Sequence, residues 1–185
     1  MKKLFYGVGI LLVCIFLTGC GCMKKTAKCA VEDFLNQYKS LDSNVLKDLE
    51  DVIKKENMPK EEEDKYRDVM KKQYRDLKYK IIDETYDGDN ATVKVKIKVY
   101  DLYKAQNEAT EYLNSHLDEF KNDEGSYDNS KYLKYKLDKM KETNDTIDYT
   151  LELNVTKNSK GNWEVLKLSS SDLEKIHGIY NYEKE

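Results

Sequence analysis

Apolar positions along this chain follow two periods, and the switches between them divide it into elements. After an apolar run from Leu4 to Leu17, residues Ala27, Val31, Phe34, Leu35 and Tyr38 recur at helical spacing. Leu41-Asp42-Ser43 interrupts, and Asp42 or Ser43 suits the N-cap of a second helix on Val45, Leu46, Leu49, Val52 and Ile53. Pro59 suits the first turn of a third helix, with Glu61, Glu62 and Glu63 near its positive end. Its stripe is Tyr66, Val69, Met70, Tyr74 and Leu77. The period then drops to two. Ala91, Val93, Val95, Ile97 and Val99 alternate with Thr92, Lys94, Lys96 and Lys98, which predicts a strand with one apolar and one cationic face. Asp87-Gly88-Asp89-Asn90 reads as a turn, making Lys78 to Tyr86 the hairpin partner. Helical spacing returns from Ala105 to Phe120 and again at Tyr132, Leu133, Leu137 and Met140, around a loop at 122–129. Ile147 to Val155 alternates, residues 158–162 turn the chain, and Trp163 to Leu168 completes a second hairpin. Ser171-Asp172-Leu173-Glu174 has the form of a capping box opening a last helix.

This order predicts an α+β fold: N-terminal helices packed on a curved antiparallel sheet of about four strands, with a helical insertion between two hairpins. One domain over 26–182 accommodates it, since no repeat and no inter-domain linker is visible.

The N-terminus carries the most specific signal. Lys2 and Lys3 precede the apolar run, and Leu17-Thr18-Gly19-Cys20 follows, the layout of a secretory signal peptide. The run is too short to cross ~30 Å of hydrocarbon as a helix. The motif resembles the lipobox of bacterial lipoproteins. That resemblance implies cleavage after Gly19, diacylglycerol on the Cys20 sulfur, and a mature protein anchored to a membrane without spanning it. The expected organisation is a signal peptide at 1–19, a tether at 20–25, then the domain. The expected location is the outer face of the cytoplasmic membrane. The Lys-, Asn-, Ile- and Tyr-rich composition points to a low-GC Gram-positive source.

Composition narrows the rest. Acids and bases nearly balance, 35 against 32, and removing Lys2 and Lys3 takes the formal net charge from −3 to −5. Nucleic-acid binding needs a clustered basic face, so no nucleic-acid partner is expected. Cys14 leaves with the signal and Cys20 takes the lipid, which leaves Cys22 and Cys29 either as a disulfide or as free thiols. A disulfide requires Cys22 to lie outside the helix, because seven helical residues separate Cα atoms by ~10.5 Å. Cys29 lies off the apolar stripe, beside Asp33 and Asn36. No Cys or His cluster indicates a metal, and no motif indicates a cofactor.

Val31-Glu32-Asp33-Phe34-Leu35, the junction at Asp42 and the closing Lys160-Gly161-Asn162-Trp163-Glu164-Val165 resemble the nuclear transport factor 2-like (cystatin-like) superfamily. The resemblance implies a cone-shaped pocket between sheet and helices, which some relatives use for isomerase or dehydratase chemistry. Fold alone does not carry that chemistry across. Both histidines, His116 and His177, read as solvated or rim residues. Asp101 continues the apolar face of its strand, and Asp83 stands in the same relation to Leu77, Tyr79 and Ile81. If functional, these acids would converge with Tyr149 and Trp163 on a pocket; otherwise they are solvated strand ends. Lys94, Lys96 and Lys98 either discourage aggregation on a wet or edge strand or bind an anionic partner. The sequence therefore favours a non-catalytic binding or envelope-interaction module, touching the membrane through Cys20 and engaging an envelope protein or small ligand. The alternative is a ligand-binding or enzymatic pocket.

Overall fold

The computed structural model describes residues 26–184 except Asn57. The expected signal peptide, the tether, Cys20 and Cys22 lie outside the described residues.

Helix α1 (Ala27–Ser40) begins where the Thr26 hydroxyl accepts the Cys29 N–H at 3.1 Å. It ends at Leu41, whose φ of 55° lets the Leu41 and Asp42 N–H groups donate back to the Tyr38 and Gln37 carbonyls. Asp42 then accepts the Asn44 N–H at 2.9 Å and opens α2 (Ser43–Glu56). Pro59 is the N-cap residue of α3 (Lys60–Arg75), one position before the expected first turn.

The sheet is an antiparallel meander of β1 (Lys78–Asp87), β2 (Asn90–Tyr100), β3 (Thr146–Lys157) and β4 (Trp163–Val165), in that spatial order. Between the hairpins lie α4 (Leu102–Ser115), a 3₁₀ turn at Leu117–Phe120 and α5 (Asn129–Glu142). The fold class is α+β, as expected. The expected helix through Phe120 is shorter: α4 stops at Ser115 and Leu117 is half exposed. The last helix, α6 (Ser170–His177), starts earlier than the predicted capping box. Its cap is Ser169, whose hydroxyl accepts the Asp172 N–H at 3.1 Å and bonds the Asp172 carboxylate at 2.6 Å.

Two apolar clusters follow from the two periods. The alternating residues of β2 and β3, with Val31 and Leu35 of α1 and Ile176 of α6, form the sheet core. Leu49 and Ile53 of α2, Met70 and Tyr74 of α3, Leu102 and Ala105 of α4, and Leu137 and Met140 of α5 form a helical core. Burying each Leu, Ile or Met contributes roughly 1.5–3 kcal/mol. Gln73 of α3 is buried between the elements. Its Oε1 accepts the Tyr100 N–H at 3.0 Å, and its Nε2 donates to the Tyr100 and Ile176 carbonyls at 3.3 and 3.4 Å. One amide thus joins α3 to the end of β2 and the end of α6.

Candidate functional site

The residues singled out in the sequence do not meet. Asp83 lies beyond a β-bulge: Ile81 pairs with Val95, but Asp83 pairs with Lys94. The extra residue, Ile82, turns the following side chains over, so Asp83 joins the polar face and is exposed. Asp101 is buried, yet as a helix cap. Its Oδ1 accepts the Lys104 N–H at 2.9 Å, and its Oδ2 accepts the Tyr182 hydroxyl at 3.2 Å. Tyr149 and Trp163 both lie in the sheet core, far apart. Tyr149 pairs with Ile97 and Trp163 with Lys157. Eight residues of β3 separate those rungs, about 26 Å at strand rise. These four residues form no shared pocket.

His116 is exposed, stacked on Tyr112 at 4.0 Å. His177 is not a solvated histidine: it is partly buried against Tyr74, and burial pushes its pKa down to about 4. It lines an open groove of about 440 Å³ with Tyr38, Tyr66, Tyr74 and Met70. Burial raises the Tyr38 hydroxyl to about 12, with the Asp48 charge adding to the effect. Burial also raises Tyr74 strongly. The groove thus presents neutral phenols and a neutral imidazole near pH 7, beside the charged Asp48, Asp51, Lys55 and Lys167. Cys29 is partly exposed and disulfide-bonded. Among the described residues no group of three His, Cys, Asp or Glu side chains is arranged to hold a metal.

The feature with the most organised charge is the sheet face that α1 and α6 leave uncovered. Strand alternation sends Lys94, Lys96 and Lys98 of β2 to that face. Lys98 stands opposite Lys78 and Lys96 opposite Lys80, so β1 extends the row sideways. Strand β2 is central, which rules out the edge-strand reading of these lysines. Part of the charge is answered by β3. Lys94 reaches Glu152 at 3.0 Å, and Asp148 takes Lys96 at 2.9 Å and Lys98 at 3.9 Å. The hydrogen bond from Lys96 holds the Asp148 carboxyl below its ordinary range.

At the end of this face, where β1 starts and β2 ends, a cleft of about 420 Å³ opens. Lys39 from the end of α1, Arg75 from the end of α3, Lys78 and Lys98 line it. Its carboxylate, Asp76, accepts the Tyr100 hydroxyl at 2.8 Å, a bond that raises the phenol's pKa. Lys39 also lies 5.6 Å from the Tyr79 ring centroid. The sequence displays the β2 lysines plainly. The contributions of Lys39, Arg75, Lys78 and Lys80 depend on strand register and on where two helices end. Chemically, the arrangement offers several exposed cations and one guanidinium able to take an anion in a bidentate way.

No family model, curated protein or solved structure matches this chain.

Proposed function

We propose that this chain is a lipid-anchored extracytoplasmic lipoprotein whose folded domain serves as a binding module at the outer face of the cytoplasmic membrane. The observation that carries this reading is Leu17-Thr18-Gly19-Cys20, placed after a charged start and an apolar run and six residues before Thr26, the cap of α1. Two or three acyl chains on Cys20 anchor firmly, at about 0.8 kcal/mol per buried methylene. Among the described residues no helix is long and apolar enough to cross a membrane. Asp83, Asp101, Tyr149 and Trp163 have separate structural settings. Palmitate labelling in the producing cell tests the anchor. The native chain takes up label and sediments with membranes, and Cys20→Ala takes up none. A Cys20→Ala chain that is still labelled and processed overturns the reading.

One observation favours a second reading, a small-ligand pocket: the groove of about 440 Å³ beside His177 and Tyr74. Ring-proton shifts of His177 during titration with aromatic fragments test it. Saturable shifts support a pocket, and unchanged resonances remove it.

A further inference from the structure

The cationic end of the sheet carries more positive charge than its own fold neutralises. Lys78 opposes Lys98 and Lys80 opposes Lys96, and like charges directly opposite destabilise a strand pair. Asp148 serves two of these lysines at once. Among the described residues no carboxylate lies within ion-pair distance of Lys39, Arg75, Lys78 or Lys80, and Asp76 is engaged by Tyr100. The chain as a whole is anionic, with a net charge of −3, so solubility does not call for a basic concentration in one place. Along β2 alternate lysines repeat at about 6.6 Å, and across the strands at about 4.8 Å. That is a row for a ligand with repeated charges, ending in a cleft lined by the guanidinium of Arg75.

We propose that the open sheet face and its terminal cleft bind a linear phosphate-bearing polyanion, with Lys80, Lys96 and Lys98 along its length and Arg75 and Lys78 at its end. Arg75 matches phosphate oxygens in a bidentate way, and the lysines act as point charges. The ligand is a soluble chain rather than the headgroups of the membrane beneath. Helix α1 starts beside Tyr86, whose hydroxyl meets the Ala27 backbone, and it ends beside Tyr79, whose hydroxyl donates to Asn36 at 3.0 Å. The helix rise places Lys39 about 18 Å from Ala27, at the opposite end of α1 from Thr26, where the chain from Cys20 joins the domain. The choice of a polymer over a headgroup rests on the anchor proposed above; anion binding at this face does not.

Fluorescence anisotropy with labelled inorganic polyphosphate, using the full chain in detergent micelles, tests the site. The native chain is expected to bind saturably, with affinity falling steeply as salt rises. Lys80→Gln with Lys98→Gln should weaken binding about tenfold. Lys47→Gln with Lys54→Gln removes the same charge from exposed positions of α2 and should change it less than about twofold. Thermal melting verifies that both pairs stay folded. Equal weakening by the two pairs, or no saturable binding at low salt, overturns the site. Equal competition by polyglutamate overturns the preference for phosphate. Stronger competition by phosphatidylglycerol vesicles at matched phosphate overturns the assignment to a soluble chain. Failure of Cys20 labelling would leave the detergent result intact and remove only the argument from location, so the two failures are separable.

Discussion

Gly178 closes α6 with a φ of 71°, and a Cβ built there overlaps the Tyr100 carbonyl oxygen and the Gln73 Nε2. Gly178→Ala therefore carries two penalties. The left-handed backbone costs an alanine about 1–2 kcal/mol. Displacing the carbonyl and amide of a packed junction costs a further 1–3 kcal/mol or so. Reduced freedom of the unfolded chain returns about 0.4–1 kcal/mol. The expected net loss is about 2–4 kcal/mol. Gly88 provides the internal control: its φ is 59°, and nothing lies within 4 Å of a Cβ added there. Gly88→Ala should meet only the backbone penalty and lose about 1 kcal/mol. Urea unfolding followed by circular dichroism measures both variants against the native chain, provided that the slope is unchanged. Equal losses at the two glycines would show that the Gln73–Tyr100–Gly178 junction is not tightly packed and would refute the reasoning.

Other consequences are equally direct. His177 has a folded pKa near 4 against an ordinary 6.5, so the unfolded chain takes up its proton first. Its contribution to stability is therefore complete above pH 6.5 and is lost as the pH falls to about 4, to a total of about 3 kcal/mol. In urea midpoints at pH 7 and pH 4.5, the native chain should lose more stability than His177→Phe; equal losses contradict the assignment. Asp101→Ala should cost about 1–2 kcal/mol through loss of the α4 cap, and Asp101→Asn, which keeps an acceptor, only tenths. A loss in Asp101→Asn as large as in Asp101→Ala would mean that the charge, rather than the cap, matters there. Deleting Ile82 removes the bulge and leaves the pairs on either side in register, so stability should change by less than about 1 kcal/mol. Loss of the exchange protection of β1 amides in that deletion would contradict the pairing.

The elements were legible because two periods are cleanly separated in this chain. Alternation in β2 and β3 survives in the burial of Val93, Val95, Ile97, Leu151 and Leu153. The site was legible only in part. Lys94, Lys96 and Lys98 announce a cationic face, but the opposition of Lys78 to Lys98 depends on register, which a single strand does not contain. Asp83 was misplaced for the same reason, since one bulged residue exchanges the faces of β1. Asp101 continued an apolar alternation, yet it sits one residue past β2 and serves the next helix. Gln73 did leave a signal. It occupies the i+7 position from Tyr66 on an apolar stripe, where a polar residue implies a buried bonded partner.

The central claim is that the chain matures by cleavage before Cys20 and is anchored by lipid on that residue. Intact-mass spectrometry of the protein extracted from membranes of the producing cell tests it most directly. The account predicts a polypeptide whose first residue is Cys20 and which carries on that residue the added mass of a diacylglyceryl group, with or without a third acyl chain on the amine. A chain that still carries Met1 to Gly19, or an unmodified chain cut at another position, would contradict it.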